Sequence, residues 1–136
     1  MKQELRNKDI GTPYQRYKKS FFHAIDGIIY AFKYEHNMII ILIATIVTIL
    51  IGIMLKISIT EWLICILIIG MITATELINS SIEAVVDLET TKIHPLAKIA
   101  KDTASSATLI LVIVSIIIGC IIFIPKIILY LWKVLK

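Results

Sequence analysis

The sequence predicts an all-α integral membrane protein in which three transmembrane helices are preceded by an amphipathic surface helix. Hydrophobic residues make up 58% of the 136 residues, which is more than a soluble domain of this size needs for its core. They are concentrated in three long runs with few charges, as membrane-spanning helices require. The net charge of +4 suits anionic headgroups or a phosphate-bearing substrate. Basic residues do not alternate with aromatic ones in a patch, which argues against a nucleic-acid partner.

The N-terminal segment, residues 1–13, is polar, and we expect it to be flexible. The pattern changes over residues 14–34, where apolar side chains recur at helical spacing and the basic residues fall outside their stripe. The stripe consists of Phe21, Ile25, Ile28, Ile29 and Phe32. An apolar stripe of this kind, with aromatic and basic anchors around it, predicts an amphipathic helix that lies in the membrane interface.

The first two spans follow with a short turn between them. Residues 38–55 form an uncharged run of 18 residues, long enough to cross most of a hydrocarbon layer about 30 Å thick. Ser58 and Thr60 in the turn are candidate N-caps. Trp62 stands where interfacial aromatic residues are common, so we predict a second span over residues 62–86.

A polar loop separates the second span from the third. Pro is favoured in the first turn of a helix, so His94 and Pro95 are predicted to open the next one. We interpret His94 as a capping or interfacial residue rather than as a base. The third span is predicted over residues 95–124. Pro125 and Lys126 interrupt the apolar run, and residues 127–136 are interpreted as an interfacial C-terminal tail.

The basic residues predict how the chain crosses the membrane. Ten Lys and Arg residues lie before the first span or in the second loop, and four lie on the other side. Because cytoplasmic segments carry an excess of Lys and Arg, we predict a multi-pass protein of the plasma (inner) membrane with a cytoplasmic N-terminus. The end of the second span then also lies on the cytoplasmic side.

An acidic stripe occupies that end of the second span. At about 100° per residue, Glu76, Ser80, Glu83 and Asp87 fall within an arc roughly 60° wide, and Asn79 lies about 60° to one side. A carboxylate in hydrocarbon costs at least a few kcal/mol, so such groups usually mark a working site. Polar contacts between membrane helices are the alternative explanation. Because each of three acids needs its own compensation, we favour a functional site.

The spacing of these acids suggests that Glu76 and Glu83 have different roles. Glu76 and Glu83 are separated by roughly 10.5 Å along a helix, too far to bind one ion together. Glu35, at the end of the surface helix, is the outstanding partner for Glu83, because Mg²⁺ prefers two carboxylates completed by phosphate oxygens and water. Asn79 could add a neutral oxygen. Glu76 lies deeper, where a base could remove a proton from an alcohol at the bilayer surface.

Two residues near the start of the third helix extend the predicted site. Lys101 could neutralise phosphate charge, and Asp102 could orient the Lys101 side chain. The alternative for Lys101 is an ordinary lysine that reaches toward the membrane surface. Neither of the glycine-rich phosphate-binding motifs occurs in the sequence, so any nucleotide must be bound by another arrangement.

The run Glu76-Leu-Ile-Asn79-Ser-Ser-Ile-Glu83-Ala-Val-Val-Asp87, followed by His94-Pro-Leu-Ala-Lys-Ile-Ala-Lys101-Asp102, resembles the bacterial integral-membrane diacylglycerol kinase family. The sequence is most similar to the Gram-positive branch that acts on undecaprenol. The resemblance covers roughly residues 15–126 and defines a kinase domain over residues 14–126.

The resemblance implies a homotrimer with active sites shared between protomers, and phosphorylation of a lipid alcohol by Mg-ATP. By position, Glu76 matches the general base of the family, and Glu35 and Glu83 match its metal ligands. The other matched site positions are Asn79, Lys101 and Asp102, with Arg16 on the nucleotide side.

Four functions are therefore open at the level of the sequence. Undecaprenol kinase is the first, and diacylglycerol kinase has the same machinery with a different lipid pocket. A small proton-coupled exporter would explain one intramembrane glutamate, but not the charged residues collected at the same membrane face. A structural membrane adaptor would not explain the acidic stripe.

Overall fold

The computed structural model describes residues 12–89 and 94–135, and these residues form four helices. The helices are α1 (Pro13–Tyr34), α2 (His36–Met54), α3 (Ile59–Glu89) and α4 (Pro95–Val134). The predicted all-α class is confirmed for this part of the chain. Of the segment expected to be flexible, residues 1–11 lie outside the described residues, as do residues 90–93 of the predicted second loop.

Helix α1 belongs to a separate unit from the remaining three helices. Thr12 and Gln15 form a reciprocal pair of hydrogen bonds at its start, in which each side chain accepts from the backbone N–H of the other. Pro13 occupies the first helical position, where its missing N–H costs nothing. Near the end of α1 the rings of Tyr30 and Tyr34 lie 4.7 Å apart.

Helices α2, α3 and α4 are each long and apolar enough to cross a membrane. They contain 19, 31 and 40 residues. At 1.5 Å per residue these lengths correspond to about 28, 46 and 60 Å, compared with a hydrocarbon layer of about 30 Å. Helices α3 and α4 are therefore longer than the hydrocarbon layer is thick.

The turn between α2 and α3 is closed by backbone hydrogen bonds around a left-handed residue. Lys56 has a φ of 51°, and the N–H groups of Lys56 and Ile57 donate to the carbonyls of Ile53 and Gly52 at 3.2 and 3.1 Å. This is the Schellman arrangement, which satisfies carbonyls at a helix end. The indole of Trp62 packs closely against Gly52. A Cβ added at Gly52 would lie 2.7 Å from the nearest atom of the ring.

Helix α3 begins with a capping box. The Ser58 hydroxyl accepts from the backbone N–H of Glu61 at 3.3 Å, and the Glu61 carboxylate accepts from the N–H of Ser58 at 2.6 Å. Ser58 is thus the cap that the sequence offered, whereas Thr60 lies inside the helix. Glu61 also forms an ion pair with Lys126 of α4 at 3.1 Å. This pair joins α3 to α4 beside the turn.

The same end of the helix bundle contains a packed apolar cluster. Ile57, Cys65 and Ile122 are its buried members, and the partly buried residues around them are Leu55, Trp62, Ile118 and Phe123. The cluster joins the turn, α3 and α4. The end with Glu61 and Lys126 is therefore held by both apolar contacts and an ion pair.

Helix α4 begins as predicted but continues further than expected. The His94 side chain accepts from the N–H of Leu96 at 3.2 Å, which confirms the capping role, and Pro95 is the first helical residue. We expected the third span to end near residue 124, but α4 continues through Pro125 to Val134. One proline removes a single backbone donor, and helices in membranes tolerate that loss. The interfacial position of residues 127–136 stays a prediction.

Candidate active site

The Glu76 carboxylate is buried in the second half of α3. The Glu76 residue is 1% exposed, and Asn79, one turn later, is 5% exposed. The Asn37 side-chain amide, at the start of α2, donates to Glu76 Oε1 at 2.7 Å. A buried carboxylate is costly unless a donor compensates it. The bond to Asn37 supplies such a donor and joins α2 to α3 at the end opposite the Glu61–Lys126 pair.

Glu76 forms part of the wall of a cavity of about 250 Å³ between α2, α3 and α4. The polar residues that line it are Asn37, Glu76, Asn79, Ser105 and Thr108, and the apolar ones are Ile40, Ile41, Leu109 and Val112. A cavity of this volume has room for several water molecules or for the polar end of a ligand. We call it the polar cavity.

Asn79 lies between the buried Glu76 and the half-buried Glu83 on α3. Its amide nitrogen donates to Glu83 Oε1 at 3.2 Å, between residues one helical turn apart. Its carbonyl oxygen Oδ1 is buried and has no hydrogen-bond partner among residues 12–89 and 94–135. A buried acceptor without a partner costs about 1–3 kcal/mol. Asn79 thus offers an oxygen that a bound cation or donor would satisfy.

The lysines of α4 pair differently from our expectation. Lys101 Nζ donates to Asp87 Oδ1 of α3 at 2.6 Å, and the Lys101 side chain is 35% exposed. We expected Asp102 to orient Lys101, but Asp102 pairs with Lys98. Residues four apart share a helix face, whereas the adjacent Lys101 and Asp102 point about 100° apart. Asp87 is therefore the carboxylate that holds Lys101.

Glu35 is the residue immediately before α2. It adopts extended backbone angles (φ −100°, ψ 115°), and its side chain makes no capping hydrogen bond. The Glu35 carbonyl accepts from the N–H of Met38 at 3.2 Å. Its half-buried carboxylate is thus not used to cap the helix. The pairing of Glu35 with Glu83 stays a prediction.

The donor set fits a hard cation. Glu35 and Glu83 offer carboxylates and Asn79 offers the unpartnered Oδ1, which are the oxygen ligands that Mg²⁺ prefers. Among residues 12–89 and 94–135, no three His, Cys, Asp or Glu side chains come together as a metal site. Two carboxylates and one amide are consistent with Mg²⁺, which usually keeps water and substrate phosphates as its remaining ligands.

Arg16, the remaining predicted site residue, lies in the first turn of α1. Its backbone N–H donates to the Thr12 carbonyl at 3.1 Å, and its side chain is exposed. Helix α1 belongs to a separate unit from the helices that carry Glu76. A contact between Arg16 and a nucleotide stays a prediction.

Three polar residues that line the polar cavity, Asn37, Ser105 and Thr108, were missed at the level of the sequence. Asn37 follows Glu35 by two residues, and its position at the predicted membrane boundary was the available signal. Thr108 follows Asp102 in the polar stretch of α4, but one helix alone does not reveal which polar side chain faces α3. The Glu61–Lys126 ion pair was also missed, although both charges fall on the same predicted membrane face.

Comparison with known proteins shows the family of the chain. The sequence matches the prokaryotic diacylglycerol kinase family over residues 22–123. It is 41% identical over 122 residues to the undecaprenol kinase of Bacillus subtilis strain 168, covering 90% of this chain and 99% of that protein. It is also 41% identical over 97 residues to the diacylglycerol kinase of Helicobacter pylori strain J99, covering 71% and 76% of the two chains.

A more distant relative, the diacylglycerol kinase of Synechocystis, is 33% identical over 107 residues, covering 78% of this chain and 61% of that protein. All these relatives are kinases of lipids, so the exporter and adaptor hypotheses are set aside. The match extends over both the acidic stripe of α3 and the Lys101 region of α4. The chain therefore belongs to the prokaryotic diacylglycerol kinase family, and it is a membrane lipid kinase.

Proposed function

We propose that this lipid kinase phosphorylates undecaprenol to undecaprenyl phosphate, with Glu76 as the general base. Membership of a kinase family implies ATP as the phosphoryl donor. The observation that carries the proposal is the buried Glu76 carboxylate in the wall of the polar cavity. A buried acid is maintained against its desolvation cost when it has chemical work to do. Preference for undecaprenol is supported by the relative that aligns over 99% of its length.

An apolar cavity next to the polar one supports a lipid acceptor. It has a volume of about 300 Å³, and its lining includes Cys65, Ile68, Ile72 and Phe123. Both cavities are lined in part by Ile40, Ile41 and Val112, so they lie side by side. A ligand with a hydroxyl at one end and an apolar chain behind it matches a polar cavity with an apolar cavity beside it. A polyprenyl alcohol has that form.

The chemistry that follows requires one proton transfer and one phosphoryl transfer. The alcohol proton passes to a Glu76 carboxylate oxygen as the alcohol oxygen forms a bond to the γ-phosphorus of ATP. The bond from that phosphorus to its bridging oxygen breaks, and ADP leaves with the electron pair. Lys101, held by Asp87, neutralises phosphate charge, and Asn79, Asp102 and Arg16 complete the nucleotide side.

We further propose that Glu35 and Glu83, with Asn79 Oδ1, hold Mg²⁺. Two observations support this assignment. Asn79 Oδ1 has no hydrogen-bond partner among the described residues, and the Glu35 carboxylate makes no capping hydrogen bond. When bound, the cation supplies positive charge that offsets the charge of the ATP phosphates. The protein contributes few ligands because Mg²⁺ retains water and phosphate oxygens.

The assembly and its placement in the membrane are part of the same proposal. We propose a homotrimer with active sites shared between protomers. Helix α1 lies in the membrane interface through its apolar stripe. The excess of Lys and Arg before α2 and around the start of α4 supports a plasma (inner) membrane protein with a cytoplasmic N-terminus and active site.

Diacylglycerol is the second candidate acceptor, because the Helicobacter pylori relative at 41% identity is a diacylglycerol kinase. The test is a mixed-micelle assay of purified protein with Mg-ATP and a panel of lipid alcohols. We expect the highest kcat/KM for undecaprenol, and a clear preference for diacylglycerol would reverse the choice. In the same assay Glu76→Gln should abolish phosphorylation with the fold retained. Near-normal turnover in Glu76→Gln would remove Glu76 as the base.

A further inference from the structure

The Thr108 hydroxyl differs from the hydroxyls of three other threonines, which lie in α2 and α3. Those of Thr45, Thr73 and Thr75 each donate to the carbonyl four residues earlier in their own helix at 2.8 Å. Thr108 Oγ1 is buried and has no hydrogen-bond partner within residues 12–89 and 94–135. An unsatisfied buried hydroxyl costs about 1–3 kcal/mol. A bond to the carbonyl one turn earlier in its own helix would relieve that cost, but Thr108 does not form it.

The surroundings of Thr108 suggest what its hydroxyl is for. It lines the polar cavity together with Glu76, Asn37 and Asn79. The amide of Asn37 donates to Glu76, and that of Asn79 donates to Glu83. The Ser105 hydroxyl, also in the lining, donates to the Asp102 carbonyl at 3.1 Å. Thr108 therefore contributes a hydroxyl proton that no protein acceptor in the described lining uses.

An alcohol substrate has matching requirements. Its oxygen carries one proton to donate and two lone pairs that can accept. At the proposed site the proton is directed to Glu76, which leaves the lone pairs to a donor and to the phosphorus. A neutral donor is suited to this task because it can orient the oxygen without supplying a competing charge.

We infer that Thr108 binds the acceptor alcohol, donating its hydroxyl hydrogen to the alcohol oxygen while the alcohol proton is directed to Glu76. This inference rests on the proposed function, because it takes the polar cavity as the site of the alcohol. Thr108 keeps its proton throughout and acts by orientation alone. The residue thus helps to select acceptors that carry a hydroxyl at the end of an apolar chain.

The test compares Thr108→Val, which keeps the shape and removes the hydroxyl, with Thr108→Ser, which restores it. Thr73→Val is the matched control, because its hydroxyl is bonded within its own helix and does not line either cavity. Loss of one hydrogen bond should lower kcat/KM for undecaprenol about five- to tenfold in Thr108→Val. The KM for ATP should not change, and Thr108→Ser should recover most of the loss.

Three outcomes would overturn the inference: equal activity in Thr108→Val and Thr73→Val, no recovery in Thr108→Ser, or an equal change in the KM for ATP. Thr108→Ala repeats the comparison if Thr108→Val does not assemble. Glu76→Gln is measured in the same assay to separate the two proposals. If Glu76→Gln is inactive while Thr108→Val matches its control, only the role of Thr108 is lost. Wild-type turnover in Glu76→Gln removes both proposals.

Discussion

Asn37 and Glu76 are 39 positions apart in the sequence, and the amide of the first donates to the carboxylate of the second at 2.7 Å. The bond connects the first turn of α2 to the second half of α3. Glu76 is buried, with 1% of the residue exposed, so Asn37 controls where one of its carboxylate oxygens points. The other oxygen can then face the polar cavity, where a substrate proton would be received.

Removal of that bond should impair catalysis. We expect Asn37→Ala and Asn37→Leu to lower kcat about tenfold or more, because a hydrogen bond to a charged group contributes about 1.5–3 kcal/mol. Steady-state turnover with saturating lipid and ATP measures the effect. Ser81→Ala is the control, since its exposed hydroxyl only donates to the Leu77 carbonyl. Wild-type kcat in both Asn37 variants would show that the bond does not orient the base.

The two proposed metal ligands should affect the magnesium requirement. Glu35→Ala and Glu83→Ala should each raise the Mg²⁺ concentration for half-maximal activity at least tenfold, because each removes one of few protein ligands. Glu89→Ala is the control, an exposed acid at the end of α3. Activity is titrated with Mg²⁺ at fixed ATP. An unchanged Mg²⁺ dependence in either variant removes that residue from the proposed site.

The two lysines at the start of α4 should differ in importance. Lys101→Met should lower kcat/KM for ATP about a hundredfold, because it removes a charge from the phosphate side of the site. Lys98→Met should have a much smaller effect, since the Lys98 side chain is 74% exposed and is connected to the proposed site only through its ion pair with Asp102. Both are measured as initial rates against ATP concentration. Similar losses in the two variants would mean that general positive charge, rather than Lys101 itself, is required.

Gly52 should resist substitution for a steric reason. A Cβ at this position would lie 2.7 and 2.9 Å from two Trp62 ring atoms and 3.1 Å from Ile57 Cδ1. Gly52→Ala should therefore destabilise the protein by about 1–3 kcal/mol, the usual cost of overpacking. Thermal unfolding in detergent measures the change. Gly70→Ala is the control because nothing lies within 4 Å of its Cβ position, and an equal loss there would reject this explanation.

The helices of this protein could be predicted from sequence because their signals are local. Uncharged runs predict spans, and Pro95 and His94 mark where α4 begins. Where a signal was weak, the expectation was wrong: Pro125 does not end α4, since one missing donor does not outweigh the many remaining hydrogen bonds of a membrane helix.

The acidic stripe could also be predicted, since helical periodicity alone places Glu76, Glu83 and Asp87 on one face. Periodicity does not tell which side chains of neighbouring helices meet. Asp87 rather than Asp102 holds Lys101, and Lys98 takes Asp102. The Lys98–Asp102 pair follows from helical periodicity within α4. The pairing of Lys101 with Asp87 depends on the distance and rotation between α3 and α4, which are set by packing.

By itself, then, the sequence determined the membrane class, the helices and the face of α3 that carries the acids, because each depends on residues within a few turns of one another. Tertiary structure alone decided that Asn37 bonds to Glu76, that Glu61 pairs with Lys126, and that the Thr108 hydroxyl lines the polar cavity. These contacts join residues far apart in the chain, and hydrophobic periodicity carries no information about the rotation of one helix against another.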